Sequence, residues 1–196
     1  SSLTIFADAG CATQSFVQQA PFLQSLGIRY RLVPVPMQPG FRFHPKAVLL
    51  SGPDAATLLV GSGNLTFGGW RENAEIWMRY DVPGQETGEF AAFHEYLRTV
   101  TSRVGLPEVV RREVEEAFDP HTRTWAGSLP PASGLLGPAG AGPSLMDQFI
   151  RELGPDPIDR VTVCSPYFDD SGAALRELVR RTQVAACDVL VQPGRP

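Results

Sequence analysis

The sequence predicts an α/β fold, a mixed sheet flanked by helices, on three observations. Strand-like and helix-like apolar periodicities alternate along the 196 residues. The order strand, helix, strand occurs near both ends, over 3–36 and 161–193. Between them, short apolar runs separated by turn residues read as antiparallel hairpins.

Taken in order, residues 3–7 (LTIFA) predict a buried strand. Residues 13–26 follow with Phe16, Val17, Ala20, Leu23 and Leu26 at helical spacing, Pro21 as a possible kink and Gly27 placed as a C-terminal cap. Residues 28–35 alternate as a strand, and QPGFR turns the chain into a strand over 43–50. After the SGPDAA loop, 57–61 and 75–81 continue as strands. A helix over 87–103 places Phe90, Phe93, Leu97 and Val100 on one face, and 107–118 forms another, with Arg111 and Arg112 spaced to pair with Glu115. Residues 119–143 contain Trp125 and then lose all periodicity, which reads as a Gly/Pro-rich linker or loop. Order returns with a Ser144/Asp147 capping box and a helix to Leu153, a strand over 161–165, a helix capped by Ser171 that carries Leu175, Leu178 and Val179, and a strand over 187–191.

Composition narrows the class. Hydrophobic content of 43% and charged content of 19% are ordinary for a globular protein. No apolar run approaches the roughly 20 residues of a membrane span, and no signal-like leader opens the chain. Cys11, Cys164 and Cys187 are scattered and odd in number, which suits a reducing cytoplasm. With His44, His94 and His121 they give no metal-ligand spacing, so neither a metal nor a cofactor is expected. The net charge of −4 means that binding a polyanion requires a local Arg cluster.

The chemistry concentrates between Phe43 and Glu75. Strand periodicity puts His44 and Lys46 on one face, with Ser62 and Asn64 beyond the next strand. An imidazole, an ammonium, a hydroxyl and a carboxamide around one spot make a phosphate-handling set. Lys46 is the only Lys among 17 basic residues, so this position keeps a compact point charge where the chain elsewhere uses the Arg fork. His94, beside Phe90 and Phe93, reads as a packing residue, and His121 as a solvated one. Trp70 and Trp77 flank the set. Core packing accounts for them most simply, and stacking a base or lining a lipid pocket is the functional alternative.

His44-Pro45-Lys46, Gly61-Ser62-Gly63-Asn64 and Asn73-Ala74-Glu75 resemble the signature of the phospholipase D superfamily, H-x-K-x4-D-x6-G-S-x-N with a downstream Glu. Ser51 stands in the place of the Asp, and Asp54 arrives three residues late but correctly spaced to Gly61, as a three-residue insertion would leave it. The wording GSGNLT and RENAE is most like the nuclease and helicase-associated branches. The resemblance implies a metal-independent phosphodiesterase acting on nucleic acid, an endonuclease. Its nucleophile is His44, which forms a phosphohistidine. Lys46 and Asn64 hold the nonbridging oxygens, Ser62 and Gly63 help bind substrate, and Glu75 fixes a histidine tautomer.

Such sites join two motifs. Residues 1–118 would be the first half of a pseudo-two-fold pair and 144–196 the beginning of a second, ending before its own motif. The second motif would come from a homodimer partner or from further chain. Two other functions fit the same residues: a phospholipase or phosphatidyltransferase, and a catalytically silent binding or dimerisation module.

Overall fold

A computed structural model describes residues 3–19, 24–84, 88–103, 105–131 and 142–191. The chain forms two compact units, Ser1–Gly134 and Leu135–Pro196, and its architecture is mixed α/β.

The first unit opens with β1 (Thr4–Asp8), α1 (Ala9–Gln19) and β2 (Arg31–Val35). The two strands are parallel, in register from Thr4 opposite Arg31 to Asp8 opposite Val35. The helix starts earlier than the apolar spacing suggested because Asp8 caps it. Its Oδ1 accepts from the Gly10 and Cys11 N–H groups at 3.0 and 3.2 Å. The apolar face differs too, since Ala12 is buried whereas Val17 is exposed. Leu26, expected on the helix, instead bridges to Tyr30, and Ser25 and Gly27 turn the chain with φ of 70° and 78°. Ala20, Pro21 and Leu23 lie outside the described residues.

Three antiparallel strands follow: β3 (Ala47–Ser51), β4 (Ala56–Gly61) and β5 (Trp77–Val82). The first is shorter than the expected 43–50. The Phe43 N–H is taken by Asp8 Oδ2 at 3.0 Å rather than by a strand, and Pro45 has no N–H to give. Pairing begins only where the Lys46 carbonyl accepts from Gly61 N at 3.0 Å. The strands also do not make one mixed sheet: β1–β2 and β3–β4–β5 are hydrogen-bonded separately.

Residues directly opposite in a sheet share a face. One face of the triple carries Leu49, Leu58, Tyr80, Ala56 and Val82, and α2 (Glu89–Arg103), α3 (Glu108–Glu116) and the short 3-10 turn Thr124–Ser128 cover it. Phe90, Leu97, Val114 and Phe118 complete this core, and Leu58 is only 1% exposed. Trp125, expected in a linker, belongs to the same core. Its rings lie 5.5 Å from Phe90 and 5.7 Å from Phe118, and Nε1 donates to the Gly52 carbonyl at 3.0 Å. The first part of the expected linker is thus folded, and residues 132–141 lie outside the described set. A smaller cluster of Val33, Leu106 and Val110 seats β2 on α3, with Phe6 touching both clusters. Glu115 pairs across to Arg98 of α2 at 3.8 Å, not along its own helix, and Arg112 takes Glu116 instead.

The second unit contains α4 (Leu145–Leu153), β6 (Arg160–Cys164), α5 (Ala173–Thr182) and β7 (Ala186–Leu190), with β6 and β7 parallel. The Ser144/Asp147 capping box is formed in both directions, each bond 3.1 Å long. At α5 the cap is Asp169 rather than Ser171. The Asp169 carboxylate accepts from Ala173 and Ala174, while the Ser171 hydroxyl donates to that same carboxylate. None of the described residues of this unit is buried. Among the described residues, no helix is long and apolar enough to cross a membrane.

Candidate active site

Asp8 does more than start a helix. By holding both the α1 N-terminus and the Phe43 N–H, its carboxylate fixes the extended approach to His44. The residue is only 9% exposed, and its carboxyl is held below the ordinary range, first by the Phe43 N–H, then by those of Cys11 and Gly10, against the opposing effect of burial. An Asp at a strand-to-helix junction is a recognisable cap signal, but its second partner 35 residues away is not.

Beyond this anchor, His44 and Lys46 meet. Lys46 Nζ lies 2.8 Å from both His44 ring nitrogens and 3.3 Å from the His44 carbonyl. His44 is exposed and Lys46 half-buried. Burial pushes the Lys46 amine below its usual value, while the negative charge of Glu75 opposes that shift.

Lys46, just before β3, pairs with Gly61 at the end of β4, which stands opposite Trp77 of β5, and Ser62 follows directly. The Ser62 N–H donates to the Ile76 carbonyl at 3.0 Å, and its hydroxyl accepts from Ile76 N at 3.1 Å and donates to Glu75. The other Glu75 oxygen accepts from Asn73 Nδ2 at 3.3 Å. Both its oxygens serve Ser62 and Asn73, and neither reaches His44. Ser62 likewise ties two segments together with the hydroxyl expected to bind substrate.

The glycines explain how these segments come so close. A Cβ at Gly61 would meet the Ile76 carbonyl at 2.4 Å, and one at Gly63 the Gly69 carbonyl at 2.5 Å. A Cβ at Gly69, within the single π turn Gly68–Glu72, would meet the Asn64 carbonyl oxygen at 2.2 Å. Gly63 is therefore buried and makes room rather than lining an open surface. Asn64 stays exposed, and its carboxamide makes no hydrogen bond among the described residues. Trp70 rests on Trp77 with ring centroids 5.3 Å apart.

The remaining candidates lie elsewhere. Ser51 donates to the Ala117 carbonyl at 2.8 Å and accepts from Arg123 at 3.1 Å, while Asp54 is exposed in the β3–β4 turn with Thr124 as its partner. His94 stacks on Phe118 at 4.2 Å and sits 3.6 Å from Glu115, and His121 is an exposed turn residue. Neither contacts His44. Open hollows against α5 and β7 and beside Trp125 also exclude the His44 group. No protein-family model, curated protein or solved structure matches the chain.

Proposed function

We propose that this chain carries half of a metal-independent phosphodiesterase site, with His44 as the nucleophile toward phosphorus and nucleic acid as the substrate. The contact between Lys46 Nζ and the His44 ring supports it most directly. An anionic phosphodiester draws the ammonium from the ring onto its nonbridging oxygens, and this frees the lone pair for attack. Asn64, with an unused carboxamide, donates to the same oxygens as charge builds on the pentacoordinate centre. The nitrogen–phosphorus bond forms as the bond from phosphorus to the leaving oxygen breaks, and water later returns the imidazole. Glu75 and Ser62 tie together the segments on either side of Asn64, and the Glu75 charge opposes the lowering that burial imposes on the Lys46 amine. A proton for the leaving oxygen comes from a second motif, because neither His94 nor His121 contacts His44.

Incubation with DNA or RNA in EDTA tests this reading. The expected result is cleavage that His44→Ala reduces by at least on the order of 10⁴-fold. Equal cleavage by His44→Ala contradicts it. A lipid phosphodiester is the second reading, favoured by Leu65, Phe67 and Ile76, which stand exposed around Asn64 and Glu75. Headgroup release from phospholipid vesicles without nucleic-acid cleavage would select it.

A further inference from the structure

Two aromatic–arginine pairs adjoin the segments of the site along the chain, Phe41-Arg42 on the approach to His44 and Trp70-Arg71 in the π turn whose Gly69 lies against the Asn64 backbone. Phe41 is 61% exposed and Trp70 50% exposed. Neither Arg42 nor Arg71 forms a salt bridge among the described residues, although most other arginines do. Trp70 is also braced. One side of its ring meets Trp77, and the Gly69 backbone beside it is pressed against the Asn64 backbone. The backbone that carries Trp70 is therefore held against that of Asn64.

We infer that Trp70 is a stacking platform for one unpaired base next to the phosphate held at His44, Lys46 and Asn64. Arg71 and Arg42 take neighbouring phosphates, so the strand bound is single-stranded. This rests on the phosphodiesterase reading and narrows its substrate class. A half-exposed indole offers aromatic surface for a base, and guanidinium groups grip phosphate oxygens in pairs. A membrane surface would use the same residue types, but it needs no register between an aromatic ring and a catalytic amide. A base adjoining the scissile phosphate does need that register.

The test is fluorescence anisotropy of the full chain with a labelled oligothymidylate about 12 nucleotides long. Trp70→Phe and Trp70→Leu are both large and apolar, so they separate aromaticity from folding. Trp70→Leu should weaken binding about 5- to 100-fold and Trp70→Phe much less. Arg71→Gln and Arg42→Gln should each flatten the dependence of log affinity on log salt by about 0.7. Equal affinity of the Phe and Leu variants overturns the proposal, as does tryptophan emission that responds to anionic vesicles but not to oligothymidylate. Binding is read apart from cutting. A chain that binds through Trp70 yet forms no phosphorus adduct with an aryl phosphodiester keeps the platform and removes the hydrolytic reading, whereas an adduct formed by a chain whose binding ignores Trp70 does the reverse.

Discussion

Two parallel strand–helix–strand motifs occur in this chain, and they differ in what covers them. In the first, Val35 is buried at the β2 position opposite Asp8. In the second, the matching register position is Leu190, opposite Cys164, and Leu190 is 58% exposed. The local pattern of the two motifs is the same. The first unit adds α2, α3 and the Trp125 turn, which supply two buried clusters. Burial is thus conferred by elements outside the motif, as expected where most of the stability of helices and strands comes from tertiary packing.

The strongest way to break the comparison is at those two positions. Val35→Ala should cost about 2 kcal/mol in the denaturant-unfolding free energy of the first unit, and Leu190→Ala less than about 0.5 kcal/mol in the second. Equal losses would mean that exposure does not distinguish the motifs.

The helix caps sharpen it further. Asp8 and Asp169 both hold helix N-termini, and backbone N–H groups lower the pKa of both carboxyls, Phe43 first for one and Ala173 first for the other. Only Asp8 also anchors the approach to His44. Asp8→Ala should cost roughly 1–2 kcal/mol by loss of the cap and should slow cleavage as well. Asp169→Ala should lower stability less and leave cleavage unchanged.

The smallest effect concerns acid. The Ser144 hydroxyl and the Arg181 guanidinium, 2.6 Å away, hold the Asp147 carboxyl down at about 2 against an ordinary 3.8. A lowered folded value means that the unfolded chain protonates first. This contribution is complete above about pH 4 and disappears as pH falls toward 2. The stability gap between wild type and Asp147→Asn should therefore close across that window, measured by hydrogen exchange in α4. A constant gap would contradict the assignment.

Much of this was legible in the residues themselves. Capping box, hairpins, the α2 face of Phe90 and Leu97, and the meeting of His44 with Lys46 follow from local spacing. What escaped is tertiary. Trp125 lies in a stretch without periodicity and is recruited by Phe90, Phe118 and the Gly52 carbonyl. The Asp8–Phe43 bond joins distant segments and shortens β3, and Glu75 turns to Ser62 and Asn73 because the close contacts at Gly61 and Gly63 bring those segments within its reach.

Attack by His44 on phosphorus is the central claim, and an aryl phosphodiester tests it without a second motif, because nitrophenolate leaves without needing a proton. The account predicts a burst of nitrophenolate from bis(4-nitrophenyl) phosphate, together with an acid-labile phosphorus adduct on the chain, and loss of both in His44→Ala. Release without any adduct, or an adduct that survives in His44→Ala, would contradict it.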